Sequence, residues 1–200
     1  MIKLTIVVPL YNQEELILKT LDSIEKRQDI EIIIIDDCST DNSFNKALDY
    51  IYNKDFKNIK LFQNKENLGV GLTINKGLDN AIGEYVGILC DDDYLIEPLS
   101  TMINELDGSD LIYYNLRINN GEIWKLDNET KWRWVGATKL YKRSIIGKTR
   151  RGKKRIKGDW DFFLKIMKKN PTEKFTNITL YHYNYPRVGS LIDKINKTGV

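Results

Sequence analysis

Apolar residues arrive along this chain in short blocks separated by polar, cap-rich segments. "KLTIVVP" is a nearly continuous apolar run and predicts a buried strand ending at Pro9, which cannot donate to a sheet ladder. In "NQEELILKTLDSIEKR", Leu16, Ile17, Thr20, Leu21 and Ile24 fall at helical spacing, with acidic residues early and basic ones late. "IEIIII" reads as a parallel strand covered on both faces, stopping at Asp36-Asp37. "DDCSTDNS" then caps a helix predicted from Phe44 to Tyr52. "NIKLFQ", "GVGLTINKGLDNAI" and "EYVGILC" repeat strand, helix and strand. Such alternation implies right-handed crossovers and an α/β fold with a mostly parallel central sheet flanked by helices.

After Asp93 the regularity fades. "EPLSTMINEL" predicts a short helix, "DLIYYNLRI" a strand, and "NNGE" a turn into a strand through Trp124. A loop-rich stretch runs to Lys157, followed by an amphipathic helix in "DWDFFLKIMKK" and a late strand in "NITLYHYNY". No repeat or low-complexity linker divides the chain, so a single domain with a loop-rich second half is expected.

This order gives the polar segments a common place. In open α/β sheets ligands bind beyond the carboxyl ends of the strands. Pro9-Leu10-Tyr11-Asn12, Asp36-Asp37 and Asp91-Asp92-Asp93 each follow a predicted parallel strand, so all three should meet along one rim. Extended alternation would put Asp91 and Asp93 on one side and Asp92 on the other. Two carboxylates beside a water-filled gap suit a hard cation, Mg²⁺ or Mn²⁺, whose charge also favours ionised carboxylates. The competing reading is a solvated acidic turn capping the next helix.

Composition changes this picture little, and charge changes it locally. The 200 residues are 42% hydrophobic and 30% charged, an ordinary globular balance. No apolar run approaches the ~20 residues that span a bilayer. The N-terminal apolar stretch lacks a small-residue cleavage site, so no signal peptide is expected. Two cysteines and a lone histidine argue against a disulfide framework or a zinc site. A cytoplasmic location is expected, with peripheral membrane contact left open. The net charge of +3 conceals a segment, "KTRRGKKRIK" (148–157), that holds seven basic residues. Setting those aside leaves 24 of the 31 basic residues against 28 acidic ones, so the segment suggests a local anionic partner.

Three blocks, "TIVVPLYNQEE", "IIIIDDCSTDNS" and "NLGVGLTINKGLDNAIGEYVGILCDDDYL", together resemble the family 2 glycosyltransferases, which have the GT-A fold. They cover the first half of the chain. The resemblance implies a donor-binding half at 1–98, and an acceptor-binding and catalytic-base half at 99–200. It places Pro9, Tyr11 and Asn12 beside the donor's base, and Asp36 and Asp37 on base and ribose, with Asp37 nearer the base. It adds Asn67, Gly69 and Asn75 to the donor site. Its DxD-type motif falls on Asp91, Asp92 and Asp93, with Asp93 the principal metal ligand and Asp91 or Asp92 assisting or contacting the ribose. Two positions depart from the family. Cys90 stands where many relatives have an aspartate, and Ile74 where many have an arginine, which leaves one less charge for the diphosphate.

In the second half, "KGDWDFFLKIMKK" is similar to the family's "ED" motif and implies that Asp159 is the catalytic base of an inverting reaction. Asp161 is the local competitor, and a simple helix N-cap is the alternative for Asp159. The basic segment is a solvated loop, a lid over the diphosphate using Arg150, Arg151 or Lys154, or a site for an anionic acceptor including nucleic acid. Trp132, Trp134 and Trp160 would stack on a sugar or base, or lie in the core. "LYHYNYPRVGSL" offers His182 and Arg187 to the metal or diphosphate, and "WVGATKLYKRSII" would line the acceptor cleft, with Gly136 allowing close approach. The expected function is metal-dependent transfer of a sugar from a nucleotide-diphosphate donor, a UDP-sugar first, to a hydroxyl of a polysaccharide, a lipid-linked sugar or another glycoconjugate. Alternatives are transfer to modified DNA, or a non-catalytic nucleotide-sugar or nucleic-acid binding module. A nucleotidyltransferase would need a Gly-rich phosphate loop that "PLYNQEE" lacks.

Overall fold

A computed structural model describes residues 1–54, 56–130, 135–153 and 158–185. Trp132, Trp134, Lys154, Arg155, Lys157 and Arg187 lie outside the described residues. The first half alternates as the apolar blocks predict: β1 (Leu4–Leu10), α1 (Ile17–Ser23), β2 (Ile30–Asp36), α2 (Ser43–Asn53), β3 (Ile59–Gln63), α3 (Val70–Asn80) and β4 (Tyr85–Ile88). These four strands run in the order β3-β2-β1-β4, all parallel. All seven residues of β1 and of β2 are buried, as strands covered on both faces require.

Pleating divides the core. Ile6, Val8, Ile32 and Ile34 meet Ile17 and Leu21 of α1 and Ala47 and Tyr50 of α2 on one face. Val7, Ile33 and Ile35 meet Ile74 and Leu78 of α3 on the other. A Cβ on Gly77 would lie 2.3 Å from Val7 Cγ1, so α3 sits against β1 at a distance only glycine permits.

The second half differs from the expectation of a mostly parallel sheet. Its elements are β5 (Tyr94–Leu95), α4 (Leu99–Ile103), β6 (Leu111–Ile118), β7 (Ile123–Trp124), a 3₁₀ turn at Gly136–Thr138, β8 (Lys139–Lys142), α5 (Arg143–Ile146), α6 (Gly158–Met167) and β9 (Glu173–Tyr183). Strand β8, in a stretch that reads as loop, lies antiparallel between β4 and β6. β9 runs parallel to β6 and antiparallel to β5. The first helix is also shorter than its periodicity suggests, because residues 12–16 are drawn into contacts with the loop after β2. No helix among the described residues is long and apolar enough to cross a membrane.

Candidate active site

The carboxyl ends of β1, β2 and β4 bring the three polar segments to one rim. Tyr11 N–H donates to Asp91 Oδ2 at 2.7 Å, joining the first segment to the aspartate triplet across the β1–β4 pair. Asn12, at a left-handed φ of 52°, accepts the Thr40 N–H through Oδ1 at 2.8 Å and donates its own N–H to Ser39 Oγ. Tyr11 is 41% exposed, so its ring remains available to a flat ligand. Pro9 lies within β1, in register with Ile35, rather than ending it.

Asp36 and Asp37 are both buried. Asp37 accepts three hydrogen bonds: from Asn64 Nδ2 and Leu68 N–H on Oδ1, and from Gly69 N–H on Oδ2, at 2.8–2.9 Å. Its charge therefore organises the "NLG" loop that starts α3, where Asn67 stays exposed. Asp36 Oδ2 accepts from Ser39 N–H and Gln63 Nε2, while its buried Oδ1 has no partner among the described residues.

The triplet is a turn, not an extended strand. β4 ends at Ile88, and the Asp93 N–H reaches Cys90 O at 3.2 Å. Alternation therefore fails, and the ligand atoms within 4.8 Å of one another belong to Cys90, Asp92 and Asp93. Asp91 falls outside that group. Thr20 of α1 donates its hydroxyl to Asp93 O at 2.7 Å, pinning the turn from beneath. The Asp93 carboxylate, 1% exposed, accepts Tyr181 Oη–H at 2.6 Å and Asn184 N–H at 2.7 Å. Burial, then the neighbouring Asp92 charge, pushes Asp91 well above the usual carboxylate range.

β5 carries the chain from the turn onto β9, setting Tyr94 opposite His182. Their rings stack at 4.3 Å, and Lys19 Nζ lies 3.7 Å over the Tyr94 ring. A cavity of about 240 Å³ is lined by Lys19, Thr20, Asp92, Asp93, His182 and Asn184, among others. His182 Nδ1 is buried with no partner among the described residues. Burial, with Arg117 and Lys19 nearby, holds the imidazole below its ordinary value and so in the neutral, ligating form. Two carboxylates fit a hard divalent cation, and His182, though outside the close group of Cys90, Asp92 and Asp93, lines the same cavity. The Cys90 thiol, in the same group as Asp92 and Asp93, is pushed up by burial and by Asp93, Asp92, Asp91 and Asp159.

A Cβ on Gly71, in the first turn of α3, would lie 3.0 Å from Gly152 O and 3.6 Å from Arg151 Cβ, so the segment carrying Arg151, the partner of Asp159, packs beside the α3 start that Asp37 holds. Asp159 is inside the first turn of α6, so it is not the cap. Arg151 Nε donates to its Oδ1 at 3.1 Å, and Gly136 N–H donates to its Oδ2 at 3.2 Å. Asp161 lies in the same turn without an acid–base partner of this kind among the described residues. A Cβ on Gly136 would meet Arg151 Nη2 at 2.7 Å and Asp159 Oδ2 at 3.1 Å, so the close approach that glycine allows there is to this pair. Arg150 turns away from the rim: its Nε donates to Asp79 of α3 at 2.8 Å. Asn75 clasps the Arg151 backbone, donating to its O at 2.9 Å and accepting its N–H at 2.8 Å. Trp160 is 41% exposed on α6.

The family model "Glycosyl transferase family 2" matches residues 5–165. The chain belongs to that family. Among curated relatives, this family 2 chain is 38% identical over 107 residues to the GalNAc(5)-diNAcBac-PP-undecaprenol beta-1,3-glucosyltransferase of Campylobacter jejuni, covering 52% of this chain and 34% of the relative. It is 38% identical over 100 residues to the poly(ribitol-phosphate) beta-glucosyltransferase of Bacillus spizizenii, covering 46% of this chain and 15% of the relative. The family 2 chain thus spans only part of the relatives it matches. Staphylococcus aureus TarS in complex with UDP-GlcNAc superposes with a TM-score of 0.79 at 23% identity, over 94% of this chain and 60% of that one. The mannosyltransferase PcManGT of Pyrobaculum calidifontis, in complex with GDP-Man and Mn²⁺, gives 0.76 at 18% identity, over 98% of this chain and 60% of that one. These likenesses establish the GT-A fold.

Sequence reasoning missed Thr20, Tyr181, Asn184 and the Arg151–Asp159 pair. The alternation of "LYHYNY" held a signal for Tyr181. Its neighbour His182 stood out as the lone histidine, whereas the tyrosine resembled an ordinary core aromatic.

Proposed function

We propose that this chain is the donor-binding and catalytic unit of a metal-dependent, inverting glycosyltransferase. Residues 1–98 bind a nucleotide-diphosphate sugar, and 99–200 supply the acceptor side and the base. The observation that carries this reading is that Asp159, held by two donors, is paired with an Arg151 that packs against the start of α3, the same helix start that Asp37 holds at the rim. Exposed Tyr11 and Asn12 would receive the base and ribose, with buried Asp36 and Asp37 holding the loops behind them. Asp92, Asp93 and His182 would hold Mn²⁺ or Mg²⁺. Such an ion offsets negative charge developing on the diphosphate.

Asp159 accepts the proton of the acceptor hydroxyl as its oxygen attacks the anomeric carbon. The new C–O bond forms on the face opposite the leaving group, the bond to the diphosphate breaks with its electron pair, and the centre inverts. UDP is the favoured nucleotide, because the UDP-GlcNAc-bound neighbour has the higher TM-score and identity of the two, 0.79 and 23% against 0.76 and 18%. Relatives whose names specify undecaprenol-linked glycans and poly(ribitol-phosphate) support a surface glycan or lipid-linked acceptor, met at the cytoplasmic membrane face. Nucleic acid is disfavoured, because Arg150 and Arg151 of the basic segment are engaged within the protein.

A thermal-shift panel of UDP-, GDP- and dTDP-sugars, each with and without Mn²⁺, tests the reading. Stabilisation by one nucleotide class only with the cation is expected. Indifference to every nucleotide would leave the rim without a donor.

A further inference from the structure

We infer that Arg151 is the positioning residue of Asp159, acting on the base and not on the donor diphosphate. The inference rests on Asp159 being the base, as proposed above. A carboxylate in the first turn of a helix, 36% exposed, has two torsions and no intrinsic reason to keep one orientation. Arg151, 3% exposed, is far more constrained. Asn75 clasps its backbone N–H and C=O, so the residue cannot swing without breaking both bonds to α3. The Phe162 ring lies 4.6 Å from its guanidinium carbon, and Phe162 shares α6 with Asp159. Helix α6 therefore meets one guanidinium through a ring on its face and a carboxylate on its edge.

Gly136 completes the arrangement from the opposite side, its N–H donating to Oδ2. The 3₁₀ turn bearing that N–H is itself anchored. Lys139 Nζ, on a fully buried side chain, donates to Val135 O at 2.7 Å and Thr138 Oγ1 at 3.0 Å. Each Asp159 oxygen thus has one fixed donor, leaving its other lone pair for an incoming hydroxyl. The guanidinium is not a filled structural fork. Among the described residues Nη1 has no partner, and Nη2 lies 3.1 Å from Oδ1 without hydrogen-bond alignment. A purely architectural buried arginine would be expected to satisfy those donors. Here only Nε is well aligned, and it is spent on the carboxylate.

The test uses UDP-GlcNAc with Mn²⁺ and water as acceptor, reading UDP release alongside UDP affinity. Arg151→Met should lower the turnover rate by about 100-fold, the cost of a displacement of about 1 Å at a reacting group. The dissociation constant for UDP should stay within about twofold. Arg151→Lys should recover part of the rate, and added guanidinium should rescue Arg151→Ala but not Asp159→Asn. The Arg151→Met, Asp159→Asn double variant should be no slower than Asp159→Asn alone. A crystal structure of Arg151→Met gives a reading independent of turnover: the carboxylate should leave the Gly136 N–H. A carboxylate that stays in place, or a UDP affinity that falls about tenfold with turnover unchanged, would overturn the inference. Full turnover in Asp159→Asn alone would instead remove the base assignment on which it rests.

Discussion

At the scale of single residues, Asp37, Asp93 and Asp159 differ because their partners differ. Asp37 spends both oxygens on the protein, Asp93 shares its oxygens with Tyr181 and Asn184, and Asp159 is oriented by one donor on each side. None of this is legible in "DD" or "DDD", since the partners come from distant parts of the chain. The turn also brings Asp92, not Asp91, beside Asp93, so the proposed metal pair is Asp92 and Asp93. Asp91→Asn keeps an acceptor for Tyr11 N–H and should retain Mn²⁺-dependent UDP binding, whereas Asp92→Asn should lose it in calorimetry. Loss in Asp91→Asn with retention in Asp92→Asn would restore the alternating pair. Asp159→Asn should bind UDP normally and lose transfer by about 10²–10⁴-fold, the usual contribution of a general base. A normal rate in that variant would move the base to Asp161.

At the scale of elements, α1 and α3 position the rim from opposite faces of the sheet. The Thr20 hydroxyl on α1 is buried and bonded to Asp93 O, so Thr20→Val leaves a buried carbonyl short of a donor. A loss of about 1–3 kcal/mol is expected in urea unfolding, with weaker Mn²⁺-dependent UDP binding because the turn loosens. Gly77→Ala would force α3 off Val7, costing about 1–3 kcal/mol by overpacking. Unchanged stability there would mean that the helix shifts freely. The early elements were legible because a doubly covered parallel strand must be apolar throughout, and "IEIIII" is. Strand β8 was not. "KLYK" has a lysine at each end, and only the structure shows Lys139 fully buried, its ammonium bonded to Val135 O and 5.2–5.4 Å from the rings of Tyr113, Tyr141 and Phe163. A charged residue in that environment gives no hydropathy signal.

At the scale of the whole molecule, the rim closes only because late strands return to early ones. β5 and β9 bring His182 and Asn184 back to a turn laid down some ninety residues before, and α6 brings Asp159 to the other side. A ligand bridging the rim therefore links segments from both halves and should stabilise the fold as a unit. At a UDP concentration 100 times its dissociation constant, with Mn²⁺ present, linkage adds about 2.7 kcal/mol to stability. For a chain of this size each kcal/mol raises the melting temperature by about 2–4 °C, so a shift of about 5–10 °C is expected. Asp93→Asn should lower the starting melting temperature, because its two fixed donors lose a charged acceptor, and should remove the Mn²⁺-dependent part of the shift. UDP without the cation should give a much smaller shift in both proteins, since the base pocket alone engages only the first half. A full shift with UDP alone would mean that the diphosphate is held by side chains and that the carboxylates serve only to shape the turn.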